Sequence, residues 1–168
     1  MVQKQRNVAA GYRTRPLGAA DRPAIAGIVR GVGNFSANEI ETALELVDAW
    51  LAAGEASDYI CWVLEDDEGV RGYVCMGPTP LTDGTFDLYW IAVDPSAQGH
   101  GYGQALTRLA EEEAKARGGR LLLIETASQE TYAATVHFYE RAGYDLVSRI
   151  TDFYKVGDDK LTFAKRLA

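Results

Sequence analysis

One stretch of the sequence reads Leu88-Tyr89-Trp90-Ile91-Ala92-Val93-Asp94-Pro95-Ser96-Ala97-Gln98-Gly99-His100-Gly101-Tyr102-Gly103 and leads directly into an amphipathic segment. Its first half is rich in β-branched and aromatic residues, which predicts a strand over Thr85 to Val93. The amphipathic segment has apolar residues at helical spacing, which predicts a helix from about Gly101 to Arg117. The glycines between the two permit unusual φ angles, so successive backbone N–H groups can converge on one anion. A strand, an N–H-rich loop and a helix N-terminus together predict a seat for a diphosphate.

The spacing of residues in this glycine-rich loop differs from that of two other phosphate-binding motifs. A P-loop requires Lys followed by Ser or Thr after its last glycine, and here Gln104 and Ala105 follow. A dinucleotide-binding fingerprint requires a glycine at the sixth position, which is Gln104 counted from Gly99 and Leu106 counted from Gly101. Neither pattern fits, and a strand-to-helix turn without a ligand remains the alternative.

Patterns elsewhere in the chain predict the remaining elements. Leu121 to Glu125 is short and almost wholly apolar, as expected for a central strand covered on both faces. Alternating β and helical patterns predict an α/β fold with a mixed sheet and helices on both faces. The other predicted elements are strands at Tyr12–Pro16, Tyr59–Leu64, Val70–Met76, Leu146–Ile150 and Lys160–Lys165, and helices at Ala20–Val32, from Ser36 to Gly54, and at Tyr132–Ala142.

Composition and charge narrow the class of protein. The 168 residues are 47% hydrophobic and 24% charged, which is typical of one globular domain with an adequate core. Residues 1–10 are polar and unpatterned, so we expect a flexible N-terminal segment followed by a domain over 11–168. A net charge of -7 argues against nucleic acid or an anionic membrane as partner, and no run approaches the ~20 apolar residues that span a bilayer. We therefore expect a cytoplasmic protein, since a secretory signal pattern is also lacking.

The two cysteines, Cys61 and Cys75, each lie in a strand-like run. Two thiols are too few for a disulfide framework or for a structural zinc site on their own. We expect both to be buried thiols in a reducing compartment, and we expect no metal.

Two motifs make the sequence similar to a known family. The pattern Gln98-x-x-Gly101-x-Gly103, preceded by Trp90 to Pro95, resembles the acetyl-coenzyme A (acetyl-CoA) binding motif of the GNAT superfamily of N-acetyltransferases. The segment His137 to Tyr144 resembles the same family's Phe-Tyr-Glu-x-x-Gly-Phe/Tyr motif. The order of elements also agrees over nearly the whole chain. The resemblance implies the GNAT acyltransferase fold, a mixed sheet of about seven strands with a splayed central pair and helices on both faces.

The resemblance also implies which residues hold acetyl-CoA. The pantetheine arm would lie between the splayed strands, against main chain that includes Ile91, Ala92 and Val93. Backbone N–H groups would wrap the diphosphate, which gives His100 a role in the phosphate loop rather than as a base. Many family members carry Asn where this chain has Tyr132, and Thr135 is a nearby hydroxyl that could replace that contact. The loop residues are Gln98, Gly99, His100, Gly101, Tyr102, Gly103 and Gln104.

Catalytic candidates follow from the same resemblance. Tyr139 matches the tyrosine that the family commonly places near the thioester sulfur, where a phenol can protonate the departing thiolate; packing in the core is the alternative. A protonated amine must lose a proton before it attacks the thioester. The candidate bases are Asp87 and Glu125, and water-mediated proton loss is a rival to both.

The implied function is transfer of acetyl from acetyl-CoA, used as co-substrate, to an amine on a small molecule, peptide or protein. Direct attack within a ternary complex is expected, with backbone N–H groups on the strand ending at Val93 stabilising the oxyanion. Many relatives form dimers through strands near the C-terminus, so a homodimer is a further expectation. The alternative function is a non-catalytic acyl-CoA-binding module that senses the coenzyme or holds a partner.

Overall fold

A computed structural model describes residues 11–168, so the predicted flexible segment 1–10 lies outside the described residues. Within that range the chain forms seven strands and four α-helices. The strands are β1 (Arg13–Pro16), β2 (Ile60–Asp66), β3 (Gly69–Pro78), β4 (Thr85–Val93), β5 (Leu121–Ala127), β6 (Asp145–Lys155) and β7 (Asp158–Arg166). The helices are α1 (Arg22–Gly31), α2 (Ala37–Ala53), α3 (Tyr102–Ala116) and α4 (Ala133–Arg141).

The strands are hydrogen-bonded in the order β1-β2-β3-β4-β5-β7-β6. β4 and β5 are parallel, whereas β1–β2, β2–β3, β5–β7 and β6–β7 are antiparallel. This mixed seven-stranded sheet confirms the predicted fold class.

The parallel ladder pairs Thr85–Leu88 of β4 with Leu121–Ile124 of β5.

The chain divides into two compact units. The first unit contains the described residues up to Gly77 together with Trp90–Ala110. Its core forms because α1 and α2 each place apolar side chains at helical spacing, with Ile25, Val29 and Val47 fully buried. The indole N–H of Trp50 donates to the Leu17 carbonyl at 2.8 Å, which satisfies a buried polar group on each partner.

The second unit contains Pro78–Tyr89 and Glu111–Ala168. Its core is aromatic on the α4 side: the Tyr139 ring centre lies 5.8 Å from that of Tyr144 and 6.1 Å from that of Phe163. Phe86, Leu122 and Ile124 supply the buried face of β4 and β5 in this unit.

The structure corrects several predicted boundaries. α1 begins at Arg22, because Ala19–Asp21 form a 3₁₀ turn ahead of it, and α4 begins at Ala133 after a similar turn over Glu130–Tyr132. β6 and β7 extend beyond their predicted ends, which leaves only a tight turn between them.

The expectation that β5 is covered on both faces is wrong. Leu122 and Ile124 are buried, but Leu121 and Leu123 are only half-buried and Glu125 is exposed. The alternation shows that one face of this apolar strand is less covered than the other.

Candidate functional site

The predicted phosphate loop belongs to the first unit and begins with a well-ordered turn. The Asp94 carboxylate accepts hydrogen bonds from the N–H and the hydroxyl of Ser96, at 2.9 and 2.7 Å. This cap starts the 3₁₀ turn Pro95–Ala97, and Ala97 is buried beneath it. The four residues that follow, Gln98–Gly101, are all exposed.

The geometry of the loop fits a diphosphate. Gly99 and Gly101 have φ angles of 84° and 77°, and among the described residues no atom beyond the two chain neighbours lies within 4 Å of where a Cβ would stand on either. The first helical hydrogen bond of α3 runs from the Ala105 N–H to the Gly101 carbonyl at 3.0 Å. The N–H groups of Tyr102, Gly103 and Gln104 therefore precede the helical ladder, at the positive end of the helix dipole. An exposed turn with open space above its glycines and N–H groups at its end can receive a coenzyme's diphosphate.

His100 is engaged with the loop's own backbone. Its Nδ1 lies 3.1 Å from the Ala97 carbonyl oxygen, a distance at which the N–H tautomer donates a hydrogen bond. The imidazole also stacks on Tyr102, with ring centres 5.6 Å apart. These contacts suit a side chain that stabilises the loop's own backbone.

The Tyr102 side chain is buried and holds the first turn of α3. Its hydroxyl donates to the Asp66 carboxylate at 2.8 Å, and this hydrogen bond is the main cause that raises the pKa of Tyr102. Its ring meets Tyr12 edge to face, with centres 5.6 Å apart. The backbone of Tyr102 faces the loop, whereas its side chain anchors the helix to the end of β2.

Ile91, Ala92 and Val93 form the last part of β4. Ala92 is buried, while Ile91 and Val93 are half-buried, which is the alternation of a strand with one open face. A Cβ added to Gly72 on β3 would lie only 2.9 Å from the Ala92 carbonyl oxygen. Glycine at position 72 therefore allows the close approach of β3 to this segment.

Tyr139 belongs to the second unit and lies on α4 with 3% of its surface exposed. Burial raises the pKa of Tyr139 well above its ordinary value, so the phenol stays protonated at neutral pH. Thr135 on α4 and Tyr132, at the end of the preceding turn, are half-buried. The structure thus places a protonated phenol in the core of this unit.

Asp87 lies on β4 opposite Leu123 of β5 and is half-buried. The Thr79 hydroxyl donates to the Asp87 carboxylate at 2.6 Å. Thr79 could not be predicted as a partner of Asp87, because this hydrogen bond depends on the path of the chain between β3 and β4.

Glu125 on β5 follows Ile124, which pairs with Leu88 of β4. Its carboxylate lies 2.7 Å from the Lys160 ammonium, and that ammonium lies 4.8 Å from the centre of the Phe153 ring. Any cationic acceptor that binds Glu125 must therefore compete with Lys160. The Glu125–Lys160 ion pair could have been predicted only if the register of β5 against β7 were known. Lys160 on β7 lies opposite Ala127 of β5 and is therefore the diagonal neighbour of Glu125.

Among residues 11–168, no group of three or more His, Cys, Asp or Glu side chains is placed to hold a metal ion. Over the same residues, no helix is both long and apolar enough to cross a membrane.

The chain resembles known proteins over most of its length. The profile of the acetyltransferase (GNAT) domain matches residues 57–146, a little over half of the chain. A solved structure from Desulfovibrio desulfuricans, assigned to the GNAT family of acetyltransferases, is 40% identical. That match covers 94% of this chain and 98% of the other, with a TM-score of 0.88.

Two further relatives are more distant. A mycothiol acetyltransferase from Beutenbergia cavernae is 26% identical over 82% of this chain, which spans only 46% of that protein's length. A structure from Salmonella typhimurium with its cofactor acetyl-CoA shares the fold at 22% identity, with a TM-score of 0.72 and coverage of 94% and 95%. The family profile over residues 57–146 and the 40% identical structure, which shares the fold, show the same family. The chain is therefore a member of the GNAT acetyltransferase family.

Proposed function

We propose that this chain transfers the acetyl group of acetyl-CoA to an amine acceptor by direct attack within a ternary complex. The observation that carries this proposal is the loop Gln98–Gln104, with positive φ at Gly99 and Gly101 and the N-terminus of α3 at its end. Acetyl-CoA supplies an activated thioester as co-substrate. Residues 11–168 act as one acetyltransferase domain, and we expect no metal in the reaction.

The backbone of the loop binds the diphosphate. N–H groups from Gln98 to Gln104 surround the phosphate oxygens, and the dipole of α3 favours their negative charge. The main chain of Ile91 to Val93 hydrogen-bonds the pantetheine arm, with Tyr132 and Thr135 as further contacts. A backbone N–H on the strand ending at Val93 stabilises the oxyanion of the tetrahedral intermediate.

Tyr139 acts on the leaving sulfur. The departing thiolate has an ordinary pKa of about 8.5, and the buried phenol has a raised pKa. The phenol therefore donates a hydrogen bond to the sulfur as negative charge develops there and keeps its own proton, and the released thiolate takes a proton from solvent.

The acceptor ammonium must lose its proton before attack. Asp87, which already accepts a hydrogen bond from Thr79, is the first candidate to take that proton. Glu125 is the second, although its ion pair with Lys160 also suits it to acceptor recognition. Proton loss to water is the third route, and the pH dependence of turnover separates the three.

The two cysteines support attack without a covalent enzyme intermediate. Cys61 and Cys75 are fully buried and face each other across β2 and β3. The pKa of the Cys75 thiol is raised, mainly by a hydrogen bond with Cys61 and to a smaller extent by burial. Neither side chain is an accessible thiolate nucleophile.

The acceptor class is an amine on a small molecule, a peptide or a protein. The mycothiol acetyltransferase relatives support starting with small-molecule acceptors related to mycothiol, followed by amino acids and peptide N-termini. Thiol release from acetyl-CoA, measured across such a panel, tests the proposal. Acceptor-dependent release supports it, whereas coenzyme binding without turnover on any amine would favour the sensing module.

Gly101→Glu tests the loop assignment in the same assay. The substitution places a carboxylate beside the diphosphate at a φ of 77° and should abolish acetyl-CoA binding. Gly33→Glu is the matched control, because Gly33 has a φ of 79° and equally open surroundings but lies outside the loop. Equal coenzyme affinity in the two variants would refute the assignment.

We also propose that the chain forms a homodimer through β6. All eleven residues of this strand are exposed, and it lies at one end of the strand order. A two-fold axis would run two copies antiparallel, so that the Asp145 end of one meets the Lys155 end of the other. Bulges interrupt the strand, so side chains rather than main chain would form the contact. Its large apolar side chains are Leu146, Val147, Ile150, Phe153 and Tyr154.

Light scattering on the purified protein tests the dimer. Wild type should have the mass of two chains, and Val147→Asp should have the mass of one. Leu81→Asp is the matched control, since Leu81 is exposed but lies away from β6. A monomeric wild type at micromolar concentration would contradict this assembly.

A cytoplasmic location is part of the same proposal. Two buried thiols and no disulfide among the described residues suit a reducing compartment. Fractionation of cells that express the tagged full chain would test it.

A further inference from the structure

Arg71 on β3 contacts the segment that leads into the loop. Its backbone carbonyl accepts the Asp94 N–H at 2.7 Å, and its guanidinium donates to the Ser96 hydroxyl at 3.1 Å. Asp94 and Ser96 are the two residues whose mutual hydrogen bonds begin the turn before Gln98. Arg71 therefore fixes the start of the loop by main chain and side chain together.

The same guanidinium faces three carboxylates. Glu68 lies 3.1 Å from Nη1, Asp66 lies 3.6 Å from Nε, and Asp94 lies 3.9 Å from Nη1. Only 12% of the Arg71 side chain is exposed, so solvent screens these ion pairs less than it screens pairs on the open surface. Within the first unit, one cation offsets a cluster of three anions.

This acidic cluster touches both ends of the loop. Asp94 stands before it, and Asp66 accepts the hydroxyl of Tyr102 at its far end. Carboxylates at such positions repel an incoming diphosphate over a range of about 8 Å at physiological salt. A loop that receives an anion between them needs a fixed positive charge nearby, and Arg71 supplies one.

We propose that Arg71 is a positioning residue for the coenzyme. It holds the start of the loop and neutralises Asp66, Glu68 and Asp94, so that backbone N–H groups can receive the diphosphate. This inference rests on the proposed function of the loop and adds to it a side chain that neither family motif contains. Arg71 itself need not touch the coenzyme.

Arg71→Met tests the proposal with two substrates. Acetyl-CoA carries the diphosphate, and S-acetylpantetheine carries the same thioester without it. The variant should lower kcat/KM for acetyl-CoA about tenfold and leave kcat/KM for S-acetylpantetheine nearly unchanged. The loss for acetyl-CoA should shrink as salt is raised, because salt screens the uncompensated carboxylates. Arg22→Met is the matched control, since Arg22 forms an exposed pair with Asp48 on the helices of the same unit.

Glu68→Gln provides a second test that does not risk the fold. The Glu68 side chain is 75% exposed. Removing its charge leaves Arg71 with two carboxylates to neutralise instead of three. KM for acetyl-CoA should therefore fall by about twofold at low salt, the opposite direction from Arg71→Met. Glu41→Gln, on the exposed face of α2, should leave KM unchanged.

Two results would overturn the role of Arg71. One is an equal loss of kcat/KM for both substrates that does not respond to salt, which indicates a purely structural effect. The other is a Glu68→Gln variant whose KM matches that of Glu41→Gln. Failure of the proposed function looks different, because the wild type itself would then release no thiol from acetyl-CoA with any amine, whether or not it binds the coenzyme.

Discussion

Tyr139 is nearly fully buried, and burial raises the pKa of its phenol. Replacing it with Phe keeps the ring contacts with Tyr144 and Phe163 and removes only the hydroxyl. We expect kcat to fall roughly 10- to 100-fold while KM for acetyl-CoA changes little, since the hydroxyl acts on charge that develops during the reaction. Thiol-release kinetics measure both constants.

Tyr144→Phe separates catalysis from packing. Tyr144 is also buried and has a raised pKa, but its hydroxyl donates to the Glu111 carboxylate at 2.9 Å. That variant should lose some stability and keep its kcat. A Tyr139→Phe enzyme with full kcat would assign Tyr139 to the core alone.

Asp87→Asn keeps an oxygen that can accept the Thr79 hydroxyl and removes the ability to take up a proton. With Asp87 as the base, kcat/KM should fall about 100-fold in this variant, because the attacking amine loses its proton acceptor. Measuring kcat/KM against pH for this variant and for Glu125→Gln distinguishes the two carboxylates. Profiles identical to wild type in both variants would leave water as the proton acceptor.

At the scale of elements, the close approach of β3 to β4 depends on Gly72. A Cβ there would lie 2.9 Å from the Ala92 carbonyl oxygen and 3.0 Å from the Leu106 side chain, so something must shift. Gly72→Ala should lower the free energy of unfolding by about 1–3 kcal/mol, as overpacking does in other cores. Denaturant titration followed by circular dichroism measures this difference.

Gly27→Ala, in the same unit, should change stability in the opposite direction. Gly27 lies on the exposed side of α1 with open space around it, so Ala should raise stability by about 0.5–1 kcal/mol. Equal effects of the two substitutions would contradict the packing described for Gly72.

Elements that depend on local chemistry could be predicted from the sequence. The Ser36 hydroxyl and the Glu39 carboxylate form a capping box that starts α2 at the expected place, and β4 has its predicted bounds. Links such as Lys160–Glu125 and Thr79–Asp87 could not be predicted, because they depend on strand register and loop path. The full length of β6 could not be predicted either, because bulges interrupt its pairing with β7 and therefore its pattern of alternation.

At the scale of the whole molecule, a buried ion network makes stability depend on acid. Hydrogen bonds from Arg15 are the main cause that holds the pKa of Asp21 below its usual 3.8 and that of Glu65 below its usual 4.5. The unfolded chain therefore binds protons first as pH falls, and the stabilisation present at neutral pH is lost below about pH 4.5. Melting temperature measured from pH 7 to pH 3 should drop most steeply in that acidic range.

Arg15→Met identifies the source of that dependence. It leaves two carboxylates with 8% of their side-chain surface exposed and without their main partner, so stability should fall at pH 7 and change less on acidification. Arg22→Met, at the exposed pair with Asp48, should behave like wild type. An unchanged acid profile in Arg15→Met would show that other groups control it.

The most direct test of the account is a crystal structure of the protein soaked with acetyl-CoA. We predict the diphosphate against the N–H groups of Gln98 to Gln104, with one phosphate at the start of α3. Density for the nucleotide elsewhere, or none at saturating coenzyme, would contradict the central claim.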